Sequence, residues 1–553
     1  MSIPLSILVA LAAFAAPSPI PAAWSARERV AAEEVTAPAL AAHVRFLADD
    51  LLEGRAPGSR GDELAMKYVA AEYERLGLEP AGDAGGWLQK FEIVGLKSHA
   101  VAPPTFRGAK GVVKLDPALN AVVAAGQQRE SAKITDAEVV FVGYGITAPE
   151  QKWDDFKDVD VRGKVLLVMN NDPENDPALF AGKTRLYYGR WTYKYEEAAR
   201  KGAAGAIIIH TTPSAGYPWQ VVQSSWNGED FELPAAGEPR LDAKMWATED
   251  AARQIAWLGG QDLDALRARA ERRDFRPVPL GVKVSVELAT QVRRLQTANV
   301  LGVLRGGDPK LASELLVFSA HHDHLGVREA KNGDAIYNGA LDNASGVSAM
   351  LVAAEALARA QPKPRRSILF AAVGVEESGL LGSEYLCQHP PVPAGRIAAN
   401  INIDGANIWG RTRDLGFVGF GKSTLDDVVA AAAREQGRTL KPEAFPERGH
   451  FYRSDQFSFA RIGVPAIYLD RGTDYVGRPA NWGKERVDEY VLQRYHQPSD
   501  QIDATWNLDG AVDDVRLLAA VALRIADAAQ LPAWRPGDEF EGARKKALGE
   551  TRR

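Results

Sequence analysis

The chain has almost no cysteine, since Cys387 is the only one among its 553 residues. An internal disulfide framework and cysteine-rich zinc sites are therefore excluded, and any metal must be bound by His, Asp and Glu. An excess of basic side chains is also lacking, because the net charge is −6 and no basic stripe occurs. We therefore do not expect nucleic acid to be a partner.

Long hydrophobic runs are lacking too, apart from one near the N-terminus. Residues 7–16 resemble the apolar part of a secretory signal peptide, although no Lys or Arg precedes them. The run is shorter than the roughly 20 apolar residues that a membrane span needs. We expect a signal peptide at 1–23 and a periplasmic or secreted protein with no membrane anchor. The alternatives are a short hydrophobic N-terminal helix or a start codon assigned too far downstream.

The length of the chain predicts two or three domains. Helical periodicity dominates residues 43–78, and strand-like runs separated by Gly, Asn and Pro dominate the stretch from about 134 to 285. We therefore divide the mature chain into segments 24–133, 134–285 and 286–531. The charged tail, 532–553, is expected to be a solvated extension. The sequence does not indicate the oligomeric state.

From about residue 297 onward, strand-like runs alternate with helical patterns. This alternation predicts an α/β fold, in which a mixed sheet is flanked by helices on both faces. In such sheets a ligand site lies at the carboxyl ends of the strands.

Acidic and histidine side chains follow several of these predicted strands. Any one of them alone would be an ordinary helix cap, turn residue or surface group. Together they would repel one another unless a cation were present. The strand-end candidates are His321, Glu376, Glu377 and Asp404, and two more, Asp342 and His496, lie in loops.

These residue types indicate which cation would bind. Imidazole and carboxylate without thiolate suit zinc, with cobalt or manganese as substitutes. Five ligands exceed the needs of one tetrahedral zinc, and a carboxylate can bridge two ions. Adjacent residues point in different directions. One of Glu376 and Glu377 would therefore bind metal, and the other would take the proton of a metal-bound water.

The stretch "SAHHDHLG" (319–326) contains three of the nine histidines. In an extended segment, residues two apart share a side. His321 and Asp323 should therefore face one way, as a metal ligand and the carboxylate that orients it. His322 and His324 should face the other way.

Five motifs in order resemble those of the co-catalytic zinc aminopeptidases of peptidase family M28. They are "HHD" (321–323), "DNASG" (342–346), "EESG" (376–379), "NID" (402–404) and "YHQPSD" (495–500). Further similarity extends over most of residues 40–530. The resemblance implies a zinc-exopeptidase fold of the phosphorylase/hydrolase-like type, with two Zn²⁺ ions and peptide substrates.

The resemblance also implies a role for each site residue. Asp342 would bridge the two ions, His321 and Asp404 would complete one, and Glu377 and His496 the other. Glu376 would be the general base toward the water between the ions, and Asp323 would orient His321. Tyr452, in "FYRSD", is a candidate for hydrogen bonding to the tetrahedral intermediate. The strand-rich segment 134–285 resembles a protease-associated domain, a non-catalytic module inserted in some members.

Three alternatives remain beside an aminopeptidase. A carboxypeptidase or dipeptidase of the same family could hold a terminal carboxylate through Arg453, Arg471 and Arg478. A glutaminyl cyclase shares the fold but works with one zinc, and a non-catalytic binding protein of this fold would lack ligands or the base.

Overall fold

A computed structural model describes residues 18–551 of the chain. Most of the predicted signal peptide, residues 1–17, lies outside this range. The helices are, in chain order, α1 (Ala26–Glu34), α2 (Ala37–Leu47), α3 (Arg60–Arg75), α4 (Trp191–Arg200), α5 (Thr212–Ala215), α6 (Trp219–Trp226), α7 (Glu249–Leu258), α8 (Leu263–Ala270), α9 (Ser345–Arg359), α10 (Leu381–Gln388), α11 (Leu425–Glu435), α12 (Gln456–Arg461), α13 (Trp482–Gln493), α14 (Asp509–Asp527) and α15 (Glu541–Thr551).

The strands fall into one large sheet and two small hairpins, β7–β8 and β15–β16. They are, in chain order, β1 (Glu79–Pro80), β2 (Leu88–Ala100), β3 (Thr105–Gly108), β4 (Gly111–Lys114), β5 (Ala121–Ala125), β6 (Ser131–Phe141), β7 (Thr147–Ala148), β8 (Trp153–Asp154), β9 (Val165–Met169), β10 (Gly205–His210), β11 (Asp230–Glu232), β12 (Ala243–Thr248), β13 (Val278–Leu304), β14 (Leu315–His321), β15 (Gly326–Lys331), β16 (Asp334–Tyr337), β17 (Ser367–Val373), β18 (Ile397–Asn402), β19 (Asp414–Val418), β20 (Thr439–Pro442) and β21 (Ala466–Asp470).

The C-terminal half of the chain builds a mixed sheet. Strands β21, β18, β14 and β17 lie side by side and run parallel. Antiparallel strands flank them, β19 beside β21 and β13 beside β17. The predicted mixed α/β sheet is therefore confirmed.

Helices cover both faces of this sheet because its buried strands alternate apolar side chains between the faces. Along β14, Leu316 and Phe318 pack into a core shared with α1, α2, α3, α9, α11 and α14. Leu315 and Val317 pack on the opposite face with residues of α10 and α12. In the described part of the chain, no helix is both long and apolar enough to span a membrane.

A second hydrophobic core lies in the strand-rich region that precedes the mixed sheet. Strands β5, β12, β10, β9 and β6 lie side by side there, and β13 pairs with β6. The long strand β13 joins the two cores, since Val284 lies in the second core and Val300 in the first. The second core also includes Phe106 and Val123. This core therefore begins earlier than the predicted boundary at residue 134.

The C-terminal tail packs against the protein, so the expectation of a solvated extension is wrong. Trp534 and Phe540 are buried in a cluster with Phe451 and Phe457. The indole N–H of Trp534 donates to the carbonyl of Gly463 at 2.9 Å. The aromatic residues of the tail decide its position, although its composition is largely charged.

A buried arginine near the N-terminus ties together two loops that carry predicted site residues. Arg55 is 1% exposed. Its Nε donates to the carbonyl of His322 at 2.7 Å, and its Nη1 and Nη2 donate to those of Asn338 and Gly339 at 2.6 and 3.1 Å. Nη1 also donates to the carbonyl of Leu47. One guanidinium thus fixes the backbone both after β14 and before Asp342.

Replacing Arg55 with alanine should loosen both loops, because four buried carbonyl groups would lose their donor. We expect amide hydrogen exchange over 322–325 and 338–342 to accelerate by about a hundredfold, equivalent to about 3 kcal/mol of local stability. Hydrogen exchange with mass spectrometry measures this directly. The exposed Arg60, in the same segment, provides the control, and Arg60→Ala should leave exchange in both loops unchanged. Unchanged exchange in Arg55→Ala would contradict this role.

Candidate metal centre

Three of the predicted site segments follow neighbouring parallel strands. Strand β14 ends at His321, which lies opposite Val373, the last residue of β17. Glu376 and Glu377 follow β17, and Asp404 follows β18. Because parallel strands present their carboxyl ends at one edge, these side chains meet at the same edge of the sheet.

Asp342 and His496 reach this edge from loops. Asp342 lies in a turn, Ala340–Ala344, directly before α9. The backbone N–H groups of Leu341 and Asp342 donate to the Asp500 carboxylate at 3.1 Å. Helix α9 has no side-chain N-cap, so Asp342 does not cap it. Its carboxylate faces the histidines instead.

The Asp342 carboxylate lies between two imidazoles. Its Oδ1 is 3.3 Å from Nε2 of His321, and its Oδ2 is 3.3 Å from Nε2 of His496. Each imidazole also lies close to a second carboxylate, which the other imidazole does not share. Asp404 Oδ1 lies 3.4 Å from His321 Nε2, and Glu377 Oε2 lies 3.1 Å from His496 Nε2. The centre thus has two similar halves that share one carboxylate.

The two adjacent glutamates have separate surroundings, as predicted. Glu377 contacts His496, whereas the Glu376 carboxylate lies 3.9 Å from His321 Nε2. Glu376 also lines both parts of an open cleft beside the centre. Glu377 lines only one of these two parts, so Glu376 borders more of the space that a substrate could occupy.

The buried charges shift one another's pKa values strongly. Burial alone would lower the pKa of His321, but Glu376, Asp342 and Asp404 together raise it well above its usual range. Burial likewise opposes the charged form of His496, yet Glu377 and Asp342 raise its pKa to about 9. Burial raises the pKa of Glu376 well above normal, and the carboxylate of Asp404 adds to this effect. The carboxylates therefore favour positive charge at both imidazoles, from protons or from a bound cation.

Asp323 lies behind the imidazole of His321. Nδ1 of His321 is 3.3 Å from the Asp323 carbonyl oxygen and 3.8 Å from its carboxylate. The carboxylate accepts the backbone N–H groups of Glu376 and Glu377 at 3.0 and 3.3 Å. Asp323 therefore positions the glutamate loop as well as contacting His321.

The other two histidines of "SAHHDHLG" differ from each other. His322 points away from the centre and lies 2.9 Å from the Asp62 carboxylate of α3. His324 was predicted to share that side, but its Nδ1 lies 2.5 Å from Oε1 of Glu377. The prediction for His324 is wrong because β14 ends at His321, so strand alternation no longer applies. His324 thus holds the carboxylate of a predicted ligand.

Tyr452 is not close to the centre, so the role suggested for it is corrected. Its hydroxyl donates to Glu539 at 2.6 Å, and its ring packs in the aromatic cluster beneath the tail. Other tyrosines line the cleft instead. The hydroxyl of Tyr468 donates to the Asp404 carbonyl at 3.3 Å, and Tyr217 and Tyr495 line both parts of the cleft. Tyr495 could have been noticed, since it precedes His496 in the motif "YHQPSD".

The strand-rich region also reaches the centre, which sequence reasoning did not anticipate. The Ser225 hydroxyl, near the end of α6, lies 2.9 Å from Nδ1 of His496. The side chain of Gln220, from the same helix, donates to the carbonyl of Leu492 at 2.6 Å. Strand-like runs were expected to dominate 134–285, so the helix that makes these contacts was not anticipated.

One segment of the chain matches a known protein family. Residues 299–520 match the model "Peptidase family M28". This segment contains every residue of the metal centre described above. The part of the chain that builds the centre is therefore similar to the peptidases of family M28.

Individual relatives agree with this family. The chain is 28% identical over 247 residues to leupeptin-inactivating enzyme 1 of Streptomyces exfoliatus, which is 44% of this chain and 51% of that enzyme. It is 30% identical over 132 residues to the aminopeptidase NAALADL1 of Mus musculus, which is 23% of this chain and 16% of that protein. The chain thus spans about half, or less, of the lengths of these relatives.

A solved structure shares the fold over most of the chain. It is an aminopeptidase from Aneurinibacillus sp. strain AM-1, with a TM-score of 0.52 and 20% sequence identity. The match covers 92% of this chain and 97% of that one. The overall fold is therefore shared.

Replacing His324 with alanine should weaken metal retention, because Glu377 would lose the partner that holds its carboxylate. We expect the zinc affinity to fall by about 10- to 100-fold, the usual effect of removing such a partner. Competition with a chromophoric chelator measures the affinity, and the visible spectrum of the Co²⁺-loaded protein reports the ligand geometry.

The exposed His389 provides a matched control. His389→Ala should leave both the affinity and the Co²⁺ spectrum unchanged. If His324→Ala had a wild-type spectrum and wild-type affinity, the contact with Glu377 would have no function in metal binding.

Proposed function

We propose that the protein is a zinc-dependent exopeptidase, an aminopeptidase that releases N-terminal amino acids from peptides. The observation that carries the proposal is the Asp342 carboxylate, placed 3.3 Å from each of two imidazoles that have carboxylates of their own. The names of the relatives, an aminopeptidase and a leupeptin-inactivating enzyme, support the same activity.

The side chains of the centre suit zinc. They combine imidazole and carboxylate without a thiolate, which is the donor set of zinc exchangeable with cobalt or manganese. Nε2 of His496 is directed at the carboxylates of Asp342 and Glu377. Buried carboxylates that converge with an imidazole nitrogen favour a bound cation.

We infer that two ions bind. His321 and Asp404 would hold one, and His496 and Glu377 the other. Asp342 would serve both, consistent with the two short distances from its oxygens. When bound, zinc polarises a carbonyl group and lowers the pKa of a coordinated water to about 7.

Glu376 is the residue best placed to transfer the proton. It is not needed as a ligand in this division. It lines both parts of the cleft, whereas Glu377 lines one part and contacts His496. Its carboxylate would take a proton from the attacking water and return it to the leaving amine. Asp323 would hold it in place through the backbone N–H of Glu376 at 3.0 Å.

Two rival functions make different predictions for the centre. A glutaminyl cyclase of this fold would need one zinc, whereas this chain presents ligands for two. A non-catalytic binding protein would lack ligands or the base, whereas His321, Asp342, Glu376 and Glu377 all surround the same point. Both are therefore weaker explanations of the site.

We also propose that the strand-rich region, with its own hydrophobic core, is a protease-associated domain that walls the cleft. Export to the periplasm or the medium is proposed from the apolar run at 7–16. Its test is the N-terminal sequence of the mature protein, which should begin near residue 24.

Glu376→Gln should abolish turnover and keep the metal. With zinc-loaded protein and a panel of aminoacyl-nitroanilides, we expect wild-type activity that chelators remove and zinc restores. In the variant, kcat should fall by about a thousandfold, within the range for loss of a general base. Zinc content, measured by mass spectrometry, should stay at the wild-type value. Turnover near the wild-type rate would show that Glu376 is not the base.

The zinc content should be two ions per chain in the wild type. Asp342→Asn should lower the affinity at both sites, because its carboxylate would serve both ions. His496→Ala should lower it at one site only. Equilibrium dialysis followed by elemental analysis measures both numbers. One ion or fewer per wild-type chain would exclude the two-zinc centre.

A further inference from the structure

Three arginines line the cleft together with residues of the metal centre. Arg448, Arg453 and Arg471 line the same hollow as Asp342 and Asp404. Arg448 and Arg453 come from the turns between β20 and α12, and Arg471 follows β21 directly. Carboxylates and guanidinium groups therefore line one hollow.

The arginines are only partly neutralised by the protein itself. Arg448 pairs with Asp488 through Nη2, and Arg471 lies 3.3 Å from Asp470 through Nε. However, Nη1 of Arg448 and Nη1 of Arg471 are buried and make no hydrogen bond to residues 18–551. Buried donors without an acceptor are destabilising, so such groups commonly mark the place of a missing partner.

Arg453 has no carboxylate partner among the contacts that hold it. It lies 5.1 Å from the ring centre of Tyr217, bonds to Tyr495, and approaches the carbonyl of Arg448 at 3.4 Å. These contacts fix the guanidinium between the two parts of the cleft without cancelling its charge. Arg448 and Arg471 therefore each contact one carboxylate, Asp488 and Asp470. Arg453 interacts with a carboxylate, that of Glu376, only over a longer distance.

His450 lies among these arginines and adds no positive charge. Burial lowers the pKa of His450 well below its usual range, and the charges of Arg453, Arg448 and Arg471 lower it further. The same three guanidinium groups therefore act on one imidazole from close range. An anion in the hollow would relieve their mutual repulsion.

We infer that the enzyme prefers peptides in which a carboxylate lies next to the scissile bond, bound by Arg448, Arg453 and Arg471. Guanidinium groups bind carboxylates through paired N–H donors, and the free Nη1 atoms are donors of this kind. The carboxylate could belong to an acidic side chain on either side of the scissile bond, or to the free C-terminus of a dipeptide. This inference rests on the proposed exopeptidase function.

The test uses matched substrate pairs that differ only in the carboxylate. Glutamyl- and glutaminyl-nitroanilide test the N-terminal side chain, Leu-Glu-amide and Leu-Gln-amide the second side chain, and Leu-Leu and Leu-Leu-amide the free C-terminus. In at least one pair, kcat/KM of the zinc-loaded enzyme should favour the carboxylate by about tenfold or more, the usual value of a charge-assisted hydrogen bond. The pair that responds identifies the source of the carboxylate.

Arginine variants then test which residues produce the preference. In Arg453→Gln and Arg471→Gln, the ratio within the responding pair should fall to within about twofold of one. The ratio is taken within one variant, so partial loss of zinc or folding affects both substrates equally. Arg478→Gln is the matched control, because Arg478 is exposed, stacks on Trp482 and lines a different hollow. It should keep the wild-type ratio.

Binding separates this inference from the proposed function. The same pairs are titrated calorimetrically into zinc-loaded Glu376→Gln, which decides the preference whether or not peptides are cleaved. Equal affinities and equal kcat/KM in all three pairs, or a ratio that survives in both arginine variants, would overturn the inference. A preference in binding without any cleavage by the wild type would instead contradict the exopeptidase function and leave the carboxylate site intact.

Discussion

Four carboxylates, those of Asp342, Glu376, Glu377 and Asp404, are crowded around the imidazole of His321, and the site depends on their mutual repulsion. Anions this close in a buried setting must gain protons or bind a cation. The same carboxylates raise the pKa values of His321 and His496, so protonation of these imidazoles is one way to offset the repulsion. Bound metal ions would supply the same positive charge. Metal binding would therefore also offset the repulsion between the carboxylates and stabilise the fold around them.

The scaffold holds these groups together without neutralising them. Parallel strands place three of the segments at one edge, and the backbone N–H groups that bind Asp323 and Asp500 fix two loops. Arg55 is a nearby cation, yet it donates to backbone carbonyls rather than to the ligands. Its charge still acts over distance, but the ligand oxygens stay available. A salt bridge at the same place would have competed with the metal.

The sequence predicts the parts of the site that depend on strand order. His321, the glutamate pair and Asp404 follow recognisable buried strands, so their meeting at one edge could be anticipated from periodicity. Asp342 and His496 lie in loops, and only the resemblance to a family assigned them roles. Local alternation failed for His324 because the strand ends at His321. That boundary depends on tertiary contacts that no local pattern reveals.

Contacts between segments that are distant in sequence could not be predicted either, because they too depend on the tertiary structure. Arg55 lies more than 260 residues before the loop that it fixes, and nothing near it in sequence points to His322. Tyr452 lies in the motif "FYRSD", but its side chain packs with the aromatic residues of the tail in a separate cluster. The C-terminal tail was predicted to be solvated because many of its residues are charged. The burial of Trp534 and Phe540 decides its position instead.

The strand-rich region is coupled to the metal centre through one helix. Ser225 of α6 contacts Nδ1 of His496, the nitrogen opposite the one that faces Asp342 and Glu377. Val222 and Trp226 of α6, in contrast, line the cleft beside Glu376. One short helix therefore both lines the cleft and contacts a predicted ligand. A shift of this helix would alter the shape of the cleft and the position of His496 together, so this region is part of the site and not only a cover over it.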